Sequence, residues 1–221
     1  MLKLENLGIN DIKVYQDDSL YTFTSDSVLL AKFANVKMGE SVADFCAGSG
    51  IVGFYLYALN SEKIKNLTFF EVQNSLYNLC SKSIYENGLT EKAVAINTKL
   101  QEIDKSYNEK FSLIVCNPPY MKVCQGQQTE KEEIAICKSE VMLSLDELCT
   151  SISRCLKFGG RICLVHRADR LVDVIYNLKK YNIEPKRLQL VSAKGKEPYL
   201  FLLEGIKGGK SGIKILKEIE N

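Results

Sequence analysis

Four residues, Asn117-Pro118-Pro119-Tyr120, close the apolar run "FSLIVC", and they carry half of the four prolines in the chain. Proline cannot donate to a strand ladder and disfavours helix in the residue before it, so the pair would end a strand by itself. The flanking asparagine and tyrosine need a chemical reason. A planar amine, such as the exocyclic nitrogen of adenine, is a poor nucleophile because its lone pair is delocalised. Two acceptors holding its N–H bonds would keep that lone pair directed at an incoming carbon. The Asn117 side-chain oxygen and the Pro118 carbonyl supply such acceptors, since proline keeps its C=O while losing its N–H. Pro118 and Pro119 stiffen the corner, so little reorganisation accompanies the reaction. Tyr120 offers a face for a base to stack on, a contact worth about 1–3 kcal/mol.

A second group of residues suits the electrophile. "ADFCAGSGIVG" sets Asp44, Gly48 and Gly50 where a strand turns into a helix. Glycines let backbone N–H groups approach a ligand closely, although a tight strand-to-helix turn alone would also use them. Glu71 ends a second strand about twenty residues on, where a carboxylate can accept from both ribose hydroxyls. Asp44 is a poor neighbour for a pyrophosphate and a good one for an ammonium. The cofactor this favours is S-adenosylmethionine, which carries an ammonium and a methyl-bearing sulfonium. Methyl transfer from a sulfonium is an in-line displacement. It needs no metal and no strong base, so a single histidine is no obstacle.

The elements that must position these residues alternate. "SVADFC", "LTFFEV", "AVAIN", "FSLIVC" and "GRICLVH" read as strands. "GIVGFYLYAL", "SLYNLCSKSIYENG", "VMLSLDELCTSISRCLKFGG" and "RLVDVIYNLKKYN" read as helices between them. Gly88 and Gly159–Gly160 stand where helices should stop. "RLQLVS" and "PYLFLLEG" add strand after strand. The pattern predicts an α/β, doubly wound, mostly parallel seven-stranded sheet of Rossmann-like type with a C-terminal antiparallel hairpin. Residues 1–40 are expected to form a hairpin, with "DDS" as its turn, and a helix over "SDSVLLAKFANV". These pack on a core of residues 41–221, the whole reading as one structural domain. Ligands in such sheets bind beyond the carboxyl ends of the strands, where "DFCAGSG", "FFEV" and "VCNPPY" all fall.

Composition sets bounds on partners. The 221 residues carry a net charge of only +2, so any nucleic-acid contact needs a local basic patch. The start "MLKLENLGINDIKVYQ" has no secretory pattern, and the apolar runs are too short to span a bilayer, so a cytoplasmic location is expected. Cys46, Cys80, Cys116, Cys124, Cys137, Cys149, Cys155 and Cys163 form no C-x-x-C pair and read as scattered reduced thiols rather than metal ligands.

On these residues the chain resembles class I S-adenosylmethionine-dependent methyltransferases, with "DFCAGSG" as donor loop, "FFE" as ribose acid and "NPPY" as amine-handling motif. More narrowly it resembles the bacterial tRNA(Val) adenosine N6-methyltransferases, through "YTFTSDSVLLAKFA", "VHRADRL" and "EPYLFLLEGIKGGKSGIKI". The resemblance implies a donor site of Asp44, Cys46, Gly48, Gly50, Glu71, Val72 and Asn117, and a tRNA substrate modified beside the anticodon. Lys99 stands where relatives usually place an aspartate, and Lys138 where they tend to carry an arginine. "QGQQTEKEEIAICK" is either a cover loop or a plain solvent loop. Asp26 is a candidate to approach the donor from the N-terminal helix. Arg167, Lys194, Lys196, Lys207 and Lys210, interleaved with Tyr199 and Phe201, are candidates for phosphate contacts, with a solvated surface as the alternative. His166 reads as a satisfied strand-end histidine or an RNA contact. Glutamine methylation in a protein such as a release factor would use the same "NPPY" chemistry. DNA adenine methylation and a non-catalytic donor- or RNA-binding protein remain open. A nicotinamide dehydrogenase would leave "NPPY" unexplained. Oligomeric state is not legible.

Overall fold

The computed structural model describes residues 1–18, 20, 25–119 and 143–221. Two strands, β1 (Leu2–Asn6) and β2 (Lys13–Asp17), pair antiparallel as a separate sheet, from Leu2 opposite Asp17 to Asn6 opposite Lys13. The hairpin turn lies between them, where Gly8, Asn10 and Asp11 have positive φ. "DDS" begins at Asp17, the last residue of β2, and the Leu20 N–H bonds the Asp17 carbonyl at 2.9 Å. Residues 21–24, where the second strand of the expected hairpin falls, lie outside the described residues, and the observed partner of β2 is "LKLEN". The hairpin docks on the next helices by hydrogen bonds. Asn10 donates to the Ala58 carbonyl at 2.7 Å, and the Tyr15 N–H donates to Ser83 Oγ at 2.9 Å.

Helix α1 (Ser25–Phe33) leads into β3 (Glu40–Phe45), α2 (Ile51–Asn60), β4 (Ile64–Glu71), α3 (Asn74–Glu86), β5 (Ala93–Asn97) and β6 (Phe111–Cys116). Then come α4 (Leu145–Cys155), β7 (Leu156–Arg167), α5 (Leu171–Lys180), β8 (Ile183–Ser192) and β9 (Pro198–Lys207). Two short strands, β10 (Lys214–Ile215) and β11 (Ile219–Glu220), complete the described elements. The main sheet has the order β10-β8-β9-β7-β6-β3-β4-β5, with β11 also on β8. Only the β9 pairings are antiparallel. The sheet thus has nine strands where seven were expected. "IKI" and its neighbours add two residues each along β8, too short to leave an alternating pattern.

Side-chain alternation splits the core into two layers. Val42, Leu113, Val115, Cys163 and Leu202 pack with α1, α2 and α3, while Ala43, Phe45, Ile114, Ile162 and Leu203 pack with α4 and α5. Every residue of β3 is buried, as a strand covered on both faces must be. Cys80, Cys116, Cys149, Cys155 and Cys163 lie in these layers as buried free thiols.

Helix ends follow local chemistry with one exception. After α3, Gly88 at φ +63 completes a left-handed cap in which the Leu89 N–H reaches the Ile84 carbonyl and the Gly88 N–H that of Tyr85. At α4, Ser144 and Glu147 form a reciprocal capping box. The expected stop at Gly159–Gly160 is wrong. The helix ends at Cys155, and both glycines belong to β7, where the register on β6 jumps from Leu156 to Arg161. A Cβ on Gly160 would sit 2.8 Å from the Lys157 carbonyl, so the glycine serves a bulge rather than a cap.

Helix α1 is pinned from behind. Arg161 donates to the Asn35 carbonyl at 2.6 Å and to Glu40, while Arg187 donates to the Phe33 carbonyl at 3.1 Å and to Glu204. These arginines take carbonyls at the C-terminal end of the helix and set its position against β3 and β9.

Candidate active site

β3 lies between β4 and β6; the chain runs from β3 to β4 on one side and from β6 to β7 on the other, which makes the adjacent carboxyl ends of β3 and β6 the switch point of the sheet. Phe45 is directly opposite Cys116 in the β3–β6 pairing. The glycine loop and the Asn117-Pro118-Pro119 corner therefore start one residue beyond adjacent strand ends. The sequence predicted this meeting, and the register delivers it.

Within the loop the glycines have different duties. Gly48 has φ +57, and a Cβ there would meet nothing within 4 Å, so its backbone faces open space. Gly50 has φ +92, and its Cβ would lie 2.6 Å from the Phe54 ring and 2.9 Å from Cys80 Sγ. Gly50 thus serves packing as well as the turn. Cys46 also has a positive φ, +58.

Gly53 was passed over in the sequence, yet it completes the spacing begun by Gly48 and Gly50. A Cβ there would strike Phe69 at 2.4 Å, and its N–H donates to Asp44 Oδ2 at 2.8 Å. Asp44 is fully buried, and its Oδ1 accepts no hydrogen bond among the described residues. Burial pushes its carboxyl up to about 8. The Gly53 bond opposes this shift and the nearby Glu71 charge adds to it.

Glu71 closes the other side of the loop. Its Oε2 accepts the Gly48 N–H at 2.7 Å and its Oε1 the Gln73 N–H at 2.8 Å. Burial raises its carboxyl while these backbone bonds pull it back down. Two bonds leave lone pairs on both oxygens for hydroxyl donors. Asn97, unremarked in the sequence, donates to the carbonyls of Glu71 and Val72 and fixes the end of β4. Lys99 instead pairs with Glu102 at 3.3 Å on the surface.

At the corner, Asn117 Nδ2 donates to Ser27 Oγ at 3.2 Å. That bond orients the amide, with the oxygen directed away from Ser27. On α1, next to the candidate Asp26, Ser27 reaches the corner. Ser27 had no signal beyond lying in the helix. Pro118 is buried and Pro119 exposed. Beside them a recess is lined by Leu143, Ser144, Leu145, Leu148, His166 and Arg170. Tyr120, Lys138 and the segment 125–138 lie outside the described residues.

His166 is buried, lies 6.2 Å from the Phe201 ring in a stacked arrangement, and accepts the Arg167 N–H on Nδ1 at 2.9 Å. Burial, with the Arg170 charge, lowers it to about 4, so it is neutral near pH 7. The structure divides the basic candidates. Arg167, paired with Asp169 at 2.6 Å, and Lys194 and Lys196 between β8 and β9 lie at the strand ends that carry the site. Lys207 and Lys210 lie beyond the other end of β9, ten residues or about 30 Å away. Lys207 bonds Glu109 and the Leu156 carbonyl there. The two groups of basic candidates therefore stand at opposite ends of β9.

The site fits S-adenosylmethionine by its own chemistry: a buried carboxylate with a spare oxygen, a glycine backbone facing open space, and an acid at the second strand end. The strand order and this site define a class I S-adenosylmethionine-dependent methyltransferase. Comparison with known proteins agrees. The chain matches the model of the methyltransferase small domain over residues 14–173, and it belongs to that family. It is 27% identical over 176 residues to a tRNA1(Val) (adenine(37)-N6)-methyltransferase of Shewanella putrefaciens, covering 78% of this chain and 72% of the relative. In fold it is similar to an Agrobacterium tumefaciens protein described as a predicted O-methyltransferase, with TM-score 0.69 and 16% identity over 88% of this chain and 86% of the other. It is also similar to Pyrococcus horikoshii TYW2 in complex with MeSAdo, with TM-score 0.64 and 14% identity over 94% and 72% of the two chains.

Proposed function

We propose that this enzyme methylates the N6 amine of an adenosine in tRNA, next to the anticodon as the Shewanella relative's name describes for that protein. The observation that carries the proposal is the pairing of Phe45 with Cys116, which sets the donor loop beside Asn117. When bound, the donor supplies an electrophilic methyl group on a positive sulfur. Everything else is done by the chain. Asp44 and Glu71 hold the two polar ends of the donor, and Gly48 lets the backbone come close. Asn117 Oδ1 and the Pro118 carbonyl accept the two amine N–H bonds and aim the nitrogen lone pair. The resemblance to other "NPPY" enzymes gives Tyr120 the task of stacking on the base. After transfer the methylated nitrogen carries a surplus proton. It is acidic, because the ring reclaims the lone pair, and it releases that proton to the accepting oxygens and then to water. The base must leave its stack to enter the pocket, and Arg167, Lys194 and Lys196 contact the tRNA backbone near the site. A tRNA substrate supports a cytoplasmic location. Among the described residues no helix is long and apolar enough to cross a membrane.

The test is a competition. Unmodified tRNA and a release-factor protein are offered together with donor labelled on the methyl group. Label in the RNA supports the proposal. Label confined to the protein assigns the same corner to a glutamine amide instead.

A further inference from the structure

Gln16 sits on β2, far in sequence from every residue discussed at the site, and it is buried to 1% exposure. Its Nε2 donates to Ser49 Oγ at 2.6 Å, and Ser49 lies between the two glycines of the donor loop. Among the described residues its Oε1 accepts nothing. Among the described residues, two buried side-chain oxygens have no hydrogen-bond partner: Oε1 of Gln16 and Oδ1 of Asp44. Both belong to side chains bonded to the same turn and the helix it opens, Gln16 through Ser49 and Asp44 through Gly53. A buried acceptor left unpaired is costly, and folded proteins rarely keep one without a ligand or water to fill it. Two such acceptors at one loop call for a group with several N–H donors and a positive charge. A cation beside Asp44 would draw off its proton and pair with the carboxylate so formed, which makes a cation the better match, and an ammonium has three donors to share.

We infer that Gln16 is a ligand of the methyl donor: its Oε1, together with Oδ1 of Asp44, accepts N–H bonds from the cationic amino group at the donor's amino-acid end. This deepens the site reading above and rests on it. It also gives the N-terminal hairpin a purpose, since β2 then supplies one wall of the donor site rather than merely covering α3. The competing explanation is that Gln16 only ties the hairpin to the loop through Ser49.

The experiment compares two probes on four proteins. S-adenosylhomocysteine carries the amino-acid end, and 5′-methylthioadenosine lacks it. Dissociation constants are measured by calorimetry for the wild type and for Gln16→Leu, Gln16→Glu and Ser49→Ala. Gln16→Leu should weaken S-adenosylhomocysteine about tenfold or more, the loss expected for a hydrogen bond to a charged group, and leave methylthioadenosine unchanged. Gln16→Glu keeps an acceptor and should bind S-adenosylhomocysteine at least as well as the wild type. Ser49→Ala removes the tie alone and should affect both probes alike and weakly. If Gln16→Leu weakens both probes equally, or neither, Gln16 is not a ligand. If the wild type binds neither probe, the donor site itself has been misassigned, an outcome separate from the first.

Discussion

Asp44 makes the stability of the donor-free enzyme depend on pH in a way that one substitution should remove. In the folded protein its carboxyl titrates near 8, and in the unfolded chain near the ordinary 3.8. Between those values the folded state holds a proton that the unfolded state has lost, so this group's contribution is full below pH 4 and declines as pH rises toward 8. From pH 6 to pH 8 the loss integrates to about 2 kcal/mol, or a fall of roughly 4–8 °C in melting temperature for a chain of this size. Glu71, Cys80 and Cys116 are the titratable groups coupled to it. Both thiols are raised by burial and stay neutral over this range, and Glu71 is common to both proteins. Asp44→Asn keeps an acceptor for the Gly53 N–H and cannot ionise. Urea unfolding of both proteins at pH 6 and pH 8, without donor, gives the comparison. The wild type should lose about 2 kcal/mol more than Asp44→Asn over this interval. An equal loss in both would mean that Asp44 is already ionised in the empty site, and the burial argument would be wrong.

Three further outcomes follow from other parts of the structure. Ser27→Ala frees the Asn117 amide, worth about one neutral hydrogen bond, and should lower kcat roughly three- to tenfold while donor affinity holds; Ser27→Thr should restore it. Arg161→Ala strands Glu40 inside the protein, while Glu204 keeps Arg187, and should cost about 3–5 kcal/mol in urea unfolding, because a buried charge then loses its partner. Replacing Lys194 and Lys196 with alanine should weaken tRNA binding and flatten its salt dependence, whereas Lys210→Ala should change neither.

The sheet and its site were readable because their signals are local. Apolar runs such as "FSLIVC" and "AVAIN" mark strands within a few residues, and Asp44, Glu71 and Asn117 each stand at the end of one. What escaped reading depends on contacts between distant segments. Ser27 acquires meaning only from Asn117, ninety residues on, and Gln16 only from Ser49. Gly53 was visible, but its use appears only once Phe69 presses against it. Gly159 and Gly160 look like a helix stop because "LKFGG" continues the apolar pattern of α4, and only pairing with β6 reveals the bulge. The basic residues near the C-terminus look continuous in sequence, yet a ten-residue strand carries their two groups to opposite ends of the sheet.

The central claim is that one corner, Asn117 to Tyr120, presents an adenine amine to a methyl group held at the Asp44–Gly50 loop. Its most direct test is mass spectrometry of nucleosides from unmodified tRNA after incubation with the enzyme and a donor bearing a deuterated methyl group. The expected product is N6-methyladenosine carrying the intact deuterated methyl, abundant with the wild type and absent with Asn117→Ala. A methyl group on any other atom of the tRNA, or undiminished product from Asn117→Ala, would contradict it.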